Sequence, residues 1–480
     1  DPKNNVIFDH IIAEQIDVRV SEKGNDGKLL HDADGQVYLV SLLEKLVVPL
    51  LSKLSNFIVD GGIWLNTQRP EWNDGNNALV GHGISFVTLC YLRRYTHFLQ
   101  QFVESCPTSI QLTEAVGEHL NASAAALKQI LAARRAGTLT DEERWRALEA
   151  LGTAGSEYRA RVYHQESLVA TAFDRDTLVE LLSSALRLFD LSIAANQRSD
   201  GLFHTYNLLA LKPDQIKIDR LYPMLEGQVA ALSAKSLSPE GAIDLLESLF
   251  ASDIYRADLE TFMLYPDRAL TEFLEKNVIT QAQTDQSSLI TQMLAAKDYR
   301  LVEPDANGSY RFQPDCVNAD AVAAVLATVI PDYGLEHDAE AVASVQALYE
   351  AVFNHHAFTG RSGGMFGFEG LGCVYWHMVG KLLLAVQETV FDALDAETDA
   401  DTLATLVSYY YRIRNGLGFN KSPEAFGAIP FDPYSHSPMH AGAQQPGMTG
   451  QVKEEILSRF GELGLRVEAG ALTITPQLLQ

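Results

Sequence analysis

Long amphipathic helices that alternate with unusually rich loops constrain the fold of this 480-residue chain more than any other feature. Apolar residues recur at helical spacing in a series of stretches, which predicts helices there. These stretches are Val37–Phe57, Ile84–Phe102, Leu112–Ala133, Asp141–Leu151, Arg175–Ala194, Ser238–Phe250, Asp267–Lys276, Asp320–Ile330, Asp338–Asn354, Cys373–Leu394 and Asp401–Arg414. Between them lie loops rich in Gly, Trp, His and Asp: Gly61–Gly83, Asp200–Asn207, Thr359–Trp376 and Asn415–Gly450. Helix pairs wound into a closed toroid would carry such loops on one rim, around a central cavity.

The predicted fold is therefore mainly α, an (α/α)6 toroid with a few short β-hairpins. Tyr299–Phe312 alternates around Asn307-Gly308 and predicts one hairpin, and Leu465–Thr475 predicts a second. We expect the toroid over residues 1–464 with a helical insertion or lid at about 107–166, and the start of a small, truncated β-region over residues 465–480. An open helical solenoid is the alternative, but it would not need loops this specialised.

The acidic charge of the chain limits the classes of partner that it is predicted to bind. The formal net charge is −25 and the pI is about 4.9, and no block of basic residues occurs. Binding to nucleic acid or to an anionic membrane needs clustered Lys and Arg, so neither is predicted as a partner. No apolar run approaches the roughly 20 residues that span a bilayer.

The cysteines and the start of the chain bear on the compartment. The cysteines at positions 90, 106, 316 and 373 are widely spaced and form no CxxC, so neither a zinc site nor a disulfide framework is expected. Free thiols favour the cytoplasm without determining the compartment. The chain starts at Asp1 without Met or a signal peptide, so we expect it to be part of a longer protein.

The loop around Trp72, Asn73 and Asp74 concentrates chemistry that suits a sugar. The three residues lie between a Pro and a Gly, so no regular helix or strand is expected there. An aromatic ring can stack on the C–H face of a sugar, amides can bond its hydroxyls, and a carboxylate can protonate a glycosidic oxygen. We expect Asp74 to be a general acid and the other two to bind substrate. The alternative is an ordinary turn with a Trp packed beneath it.

The segment Phe358–Lys381 is dense in glycine and holds one acidic residue, Glu369. Glycine lets the backbone approach a ligand closely. A carboxylate between Phe368 and Gly370 would be partly desolvated, which raises its pKa and suits a general base. Tyr375 and Trp376, which open the following helix, are predicted to bind substrate. The alternative is a Gly-rich connection whose Glu is merely solvated.

Two further loops supply polar candidates. In Pro430–Gln451, four residues could bind sugar hydroxyls, phosphate or a nucleophilic water: His436, His440, Gln445 and Thr449. Their spacing is not a metal signature, and no metal or other cofactor is predicted. In the loop Asp200–Asn207, His204 and Tyr206 are substrate-binding candidates, with simple packing as an equal alternative.

These motifs resemble a known superfamily. The WND motif at Trp72–Asp74, with Arg69 before it and Gly75 and Asn77 after it, resembles the catalytic-acid loop of cellobiose and chitobiose phosphorylases and of related inverting (α/α)6 glycoside hydrolases. The resemblance implies that Asp74 is the proton donor, and it adds Arg69 and Asn77 to the substrate-binding candidates.

Two other segments extend the resemblance. The Gly-rich segment before Tyr375 resembles the loop that carries the base in the hydrolases, which implies Glu369. The pattern GALTITP at Gly470–Pro476 resembles the entry into their small C-terminal β-region. The sequence shows no counterpart of the phosphorylases' N-terminal β-sandwich, and their phosphate-binding loop has no residue-by-residue match.

The predicted function is an inverting glycoside hydrolase that cleaves an oligosaccharide, with Asp74 as acid and Glu369 as base. Such enzymes hold their two carboxyl groups roughly 6.5–9.5 Å apart across the scissile bond. An inverting phosphorylase that uses inorganic phosphate is the main alternative. A toroid lyase or sugar epimerase, with Tyr and His as acid and base, and a non-catalytic glycan-binding protein remain open, as does a homodimer.

Overall fold

A computed structural model provides the structure of the chain. It describes residues 8–32, 34–66, 79–164, 169–266, 272, 275–335, 338–354, 358–359, 365–366, 374–417, 449–468 and 470–479. The protein is mainly helical with short sheets, as the sequence predicts. It divides into two compact units: unit 1 contains residues 1–267 and 370–480, and unit 2 contains residues 268–369. The periodicity of the sequence did not predict the second unit.

The helices are numbered in chain order. They are α1 His10–Lys23, α2 Leu42–Leu54, α3 Phe86–Glu104, α4 Glu114–Ala136, α5 Asp141–Tyr163, α6 Arg175–Ala195, α7 Leu225–Ser233, α8 Pro239–Phe250, α9 Gln281–Thr284, α10 Ser288–Ala295, α11 Ala319–Val329, α12 Ala339–Phe353, α13 Trp376–Asp395, α14 Ala400–Gly416 and α15 Thr449–Glu462. Several of these helices begin directly after a residue whose side chain caps them, because a hydroxyl oxygen can accept a hydrogen bond from an unpaired N–H of the first turn. Ser41 caps α2, Ser85 caps α3, and Thr140 with Glu143 forms a capping box at α5.

The strands are short. They are β1 Phe57–Ile58, β2 Gly62–Trp64, β3 Gly83–Ser85, β4 Ser109–Thr113, β5 Ala170–Asp174, β6 Tyr206–Lys212, β7 Gln215–Arg220, β8 Tyr255–Arg256, β9 Thr261–Phe262, β10 Val302–Pro304, β11 Tyr310–Phe312, β12 Phe358–Thr359, β13 Met365–Phe366, β14 Leu465–Glu468 and β15 Ala471–Ile474. Five of them form one antiparallel sheet in the order β1-β2-β3-β6-β7, and the other sheets are two-stranded hairpins and pairs.

Helices α3 and α13 of unit 1 run parallel to each other. Lys381 lies over the ring of Tyr91, and further along both helices Arg94 pairs with Glu388 at 2.6 Å. Helix α7 packs against both α3 and α13. The chain ahead of α7 meets the start of α3, where the Phe86 N–H donates to the carbonyl of Thr205 at 3.1 Å. The three helices therefore start at the same end of the bundle.

Helix α15 joins this parallel set. His377 in the first turn of α13 lies 3.6 Å from Glu454 near the start of α15. Further along, the Gln387 amide donates to the carbonyl of Ser458 at 2.8 Å. Three of the rich loops that the sequence singles out precede the N-termini of the parallel helices α3, α13 and α15. The loop Asp200–Asn207 leads into β6, and the β6–β7 hairpin lies between it and α7.

Antiparallel helices accompany the parallel ones. Arg93 of α3 pairs with Asp190 of α6 at 2.9 Å, and Gln100 of α3 donates to Ser183 of α6 at 2.9 Å. As the residue numbers increase along α3, those of the contacted residues decrease along α6, so these two helices are antiparallel. Helices α3 and α6, with the neighbouring helices of unit 1, contribute to one continuous apolar core.

The segment predicted as a helical insertion contains the antiparallel helices α4 and α5, and strands β4 and β5 pair beside it. Helix α5 packs against one face of the five-stranded sheet. A small apolar cluster fills this contact, formed by Ile58, Ile84, Leu148, Leu209 and Ile216. Whether residues 107–166 form an insertion in a toroid stays a prediction.

Unit 2 has an apolar core of its own. Its hairpin pairs Val302 with Phe312, and Asn307-Gly308 lies in the connecting turn, so the predicted hairpin is confirmed. The Tyr349 hydroxyl donates to the Cys316 carbonyl at 2.6 Å.

Several other local predictions can be compared with the structure. The C-terminal hairpin is confirmed as β14 and β15. The start predicted for the helix at Ile84 is wrong, because Ile84 and Ser85 pair in β3. Pro49 does not break its helix, since α2 continues through it from Leu42 to Leu54. The helix predicted over Asp267–Lys276 falls almost entirely outside the described residues.

Candidate functional site

The loop with the WND motif joins β2 to β3. Its ends are fixed by a short ladder, in which the Leu65 N–H donates to the Gly83 carbonyl at 2.9 Å and the Gly81 N–H donates to the Leu65 carbonyl at 2.6 Å. The indole N–H of Trp64 donates to the Gly81 carbonyl at 2.9 Å. The neck of the loop is therefore tied by main-chain and side-chain bonds.

Strand β6 lies next to β3, so that Leu208 pairs with Gly83 at the neck of this loop and Tyr206 lies at the opposite end of β3. Ser85, the last residue of β3, pairs with Tyr206 across the sheet. The Tyr206 hydroxyl donates to a carboxylate oxygen of Glu226 at 2.9 Å, and both side chains are buried. Glu226 lies in the first turn of α7, where the positive end of the helix dipole favours a negative charge.

His204 lies two residues before β6. Its Nδ1 atom is 2.7 Å from the carbonyl of Leu221, and its main chain forms a β-bridge with Pro223, just ahead of α7. Desolvation lowers the pKa of His204, and the hydrogen bond with Leu221 opposes that effect. The imidazole is therefore neutral near pH 7 and anchors the chain that enters α7.

Tyr91 of α3 lies beneath the ammonium of Lys381, which belongs to α13. Its side chain is 39% exposed, yet desolvation raises the pKa of its hydroxyl to about 12. A hydrogen bond with Ser233 opposes the rise and the carboxylate of Glu226 adds to it. Partial exposure together with strong desolvation is typical of a residue that lines a concave surface.

Lys381 and His377 lie on the same face of α13, since they are four residues apart. The Lys381 ammonium is 6.0 Å from the centre of the Tyr91 ring. Desolvation lowers the pKa of His377, although the carboxylate of Glu454 at 3.6 Å opposes it. A hydrogen bond therefore joins β6 to Glu226 of α7, and Tyr91 of α3 lies beneath Lys381 of α13 and within the electrostatic influence of Glu226.

The structure describes some of the predicted site residues. Tyr375 immediately precedes α13, and Trp376 is buried in the first turn of this helix. Thr449 begins α15, and its side chain is not described. Several predicted residues lie outside the described ranges: Arg69, Trp72, Asn73, Asp74, Asn77, Glu369, His436, His440 and Gln445. The separation of the two predicted catalytic carboxylates thus stays a prediction, as do the substrate contacts of His204 and Tyr206.

Sequence reasoning missed Glu226, Tyr91 and Lys381 as members of this cluster. Lys381 had a usable signal, because it follows His377 by one helical turn. Glu226 had none, since every residue of α7 is buried and the helix shows no polar face. Only the packing of α7 against α3 and α13 places this carboxylate beside Tyr206.

The described residues also bear on metal binding and on membrane insertion. Within the described ranges, no group of His, Cys, Asp or Glu has the arrangement needed to hold a metal ion. None of the described helices combines the length and the apolar character needed to cross a bilayer.

Comparisons with known proteins address the class of the chain. Residues 270–356 match the family model described as GH149 phosphorylase insertion domain 2. The match covers a minority of the chain and falls within unit 2. It supports a relation to glycoside phosphorylases and hydrolases, and with it the prediction of an enzyme of that class. No curated protein matches the chain.

Proposed function

We propose that this protein is an inverting glycoside phosphorylase acting on an oligosaccharide. Asp74 donates its proton to the glycosidic oxygen while an oxygen of inorganic phosphate attacks the anomeric carbon from the opposite face. The bond between the anomeric carbon and the glycosidic oxygen breaks, and a sugar 1-phosphate of inverted configuration forms. The match of residues 270–356 to a phosphorylase insertion domain carries the preference for phosphate over water.

The cluster at the start of α13 supports this choice. A bound phosphate needs donors and positive charge, and the N-termini of helices supply unpaired N–H groups and a favourable dipole. Lys381 adds a cation, and His377 adds an imidazole on the same helix face. We place the phosphate here, with Thr449 at the start of α15 and the neighbouring predicted residues His436, His440 and Gln445.

The sugar side of the proposed site belongs to the loops that lead into β3 and β6. We propose that the substrate contacts comprise Arg69, Trp72, Asn73, Asn77, His204, Tyr206, Tyr375 and Trp376. In this proposal the parallel and antiparallel helices of unit 1 belong to an (α/α)6 toroid over residues 1–464. Residues 107–166 and unit 2 interrupt the toroid, and a β-region begins at residue 465.

An inverting hydrolase is the competing function. It would use Glu369 as the base that activates water, whereas phosphate needs no such base. The sequence around Glu369, between an aromatic residue and a glycine, favours this candidate. A lyase or epimerase would need neither phosphate nor Asp74.

The deciding experiment is an incubation of the protein with an oligosaccharide panel, with and without inorganic phosphate. We expect phosphate-dependent release of a sugar 1-phosphate, with inversion seen by NMR. Asp74→Asn abolishes this turnover, while Glu369→Gln leaves it within a few-fold of the unmodified protein. Free sugar of inverted configuration, lost in Glu369→Gln, would show the hydrolase instead. Full turnover by Asp74→Asn would exclude the acid assignment.

A further inference from the structure

Glu454 of α15 presents a carboxylate to the first turn of α13. Its Oε2 atom lies 3.6 Å from the Nε2 atom of His377, and the two side chains are 15% and 12% exposed. We propose that Glu454 is a positioning residue that holds His377 so that the imidazole takes up a proton when phosphate binds. This proposal rests on the proposed function, because it takes the start of α13 as the phosphate position.

The pair formed by Glu454 and His377 is an incomplete ion pair. Among the described residues, no donor lies within hydrogen-bond distance of the buried Oε2 atom, and the imidazole faces it from just beyond that distance. An ionised carboxylate is costly to desolvate without a partner, so this oxygen favours a charged imidazole over a neutral one. A proton on the imidazole would therefore complete the pair.

Without a bound anion, the imidazole of His377 is neutral near pH 7. Desolvation lowers its pKa most strongly, and the carboxylate of Glu454 opposes this effect without overcoming it. The cations of Lys381 on α13 and Lys453 on α15 also lower the pKa. From α3, the ring of Tyr91 lies beneath Lys381. A second negative charge beside the imidazole would raise its pKa toward the protonated form.

A phosphate at the start of α13 supplies this second negative charge. Lys381 follows His377 by one helical turn on the same face, and the first turn of a helix has N–H groups without helical partners. The charged imidazole then lies between two anions, the phosphate and the Glu454 carboxylate. Its proton comes from the solvent and returns there when the phosphate leaves the site, and no bond to phosphorus forms or breaks in this step.

Contacts further along α15 fix its position on α13. One turn beyond Glu454, the carbonyl of Ser458 accepts a hydrogen bond from the Gln387 amide at 2.8 Å. At the end of α15, the buried carboxylate of Glu462 pairs with Arg414 of α14 at 2.7 Å. These bonds set the register of α15 and place Glu454 opposite the first turn of α13.

The test measures proton uptake with sulfate as the probe. Sulfate resembles phosphate in shape and keeps both negative charges over the pH range in which His377 titrates, so the ligand itself exchanges no proton. Isothermal titration calorimetry at about pH 7.5, in buffers that differ in ionisation enthalpy, gives the number of protons taken up. We expect about 0.5–1 proton per bound sulfate. By linkage, the affinity should then fall about three- to tenfold for each unit by which the pH rises.

Three variants assign this uptake to its residues. Glu454→Gln keeps the size of the side chain and removes its charge, so we expect it to lower the uptake to less than about half. We expect His377→Asn to abolish the uptake. Glu388→Gln is the matched control, because it removes a carboxylate of α13 that pairs with Arg94 instead, and we expect it to leave the uptake unchanged. Inorganic phosphate replaces sulfate if sulfate does not bind, with His377→Asn as the reference for protons exchanged by the phosphate.

Two outcomes overturn the proposal. Anion binding without proton uptake by the unmodified protein would exclude the step itself, and it would do so even if a variant fails to fold. Uptake that is the same in Glu454→Gln, or that falls equally in Glu388→Gln, would exclude the positioning role of Glu454. Turnover that is independent of phosphate would instead refute the proposed function.

Discussion

The hydroxyl of Tyr206 donates a hydrogen bond of 2.9 Å to the Glu226 carboxylate. This bond joins strand β6, which pairs with β3, to the first turn of α7. Tyr206 is 1% exposed and Glu226 is 5% exposed, so bulk water does not replace the bond when it is lost. A buried carboxylate depends strongly on its donors, because an ionised group is costly to desolvate.

We expect Tyr206→Phe to lower the free energy of unfolding of unit 1 by about 1–3 kcal/mol, because Glu226 loses a buried donor. Urea unfolding followed by tryptophan fluorescence measures this change, since all four tryptophans belong to unit 1. Tyr95→Phe is the matched control, as it removes a bond of 2.7 Å from a half-buried hydroxyl to the neutral carbonyl of Leu46. A smaller effect for Tyr206→Phe than for Tyr95→Phe would contradict the prediction.

Lys381→Met tests the proposed phosphate position. A hydrogen bond to a charged group contributes about 1.5–3 kcal/mol, so we expect KM for phosphate to rise about tenfold or more. KM for the oligosaccharide should change little, because the ammonium lies 6.0 Å from the centre of the Tyr91 ring and the proposed sugar contacts come from other residues. Initial rates at varied phosphate and fixed saturating sugar measure the effect. Lys128→Met, at an exposed position of α4, is the control. An unchanged KM for phosphate would remove Lys381 from the site.

The buried imidazole of His119 is expected to make the free energy of unfolding depend on pH. The side chain is buried and its ring stacks on Tyr158 at 5.1 Å, and desolvation lowers the pKa of His119 from 6.5 to about 4. Between these values the unfolded chain binds more protons than the folded chain. The contribution of the neutral His119 imidazole to the free energy of unfolding is therefore fully present above about pH 6.5. It declines by up to about 3 kcal/mol as the pH falls toward 4.

His119→Gln removes this titration and keeps a polar partner for Ser55, whose hydroxyl lies 3.4 Å from the imidazole Nε2 atom. We expect the free energy of unfolding of this variant to depend less on pH between about 6.5 and 4 than that of the unmodified protein. Urea titrations at several pH values in this range measure the difference. His10→Gln, at an exposed position of α1, should leave the pH dependence unchanged. Parallel pH profiles for all three proteins would refute the assignment to His119.

Local signals were enough for much of the helical fold. Helices α6, α8, α12 and α14 have an amphipathic pattern and a capping residue within a few positions of their starts, so neighbouring residues specify them. The Asn307-Gly308 hairpin is equally local, because its turn residues favour the required backbone. Neighbouring residues do not specify the division into unit 1 and unit 2, because this division depends on which distant elements contact one another.

By itself, the sequence determined the helical class, the two hairpins and the positions of four loops rich in Gly, Trp, His and Asp. The tertiary structure decided which elements pack against one another. Strands β2 and β3 have three residues each, too few for a periodic signal, and they form because β3 pairs with β6 more than 120 residues later. Helix α7 is buried on every side and has no amphipathic stripe to read, so only its packing placed Glu226 beside Tyr206 and Tyr91. Periodicity reports a boundary between core and solvent, and it carries no information on elements that lie wholly within the core.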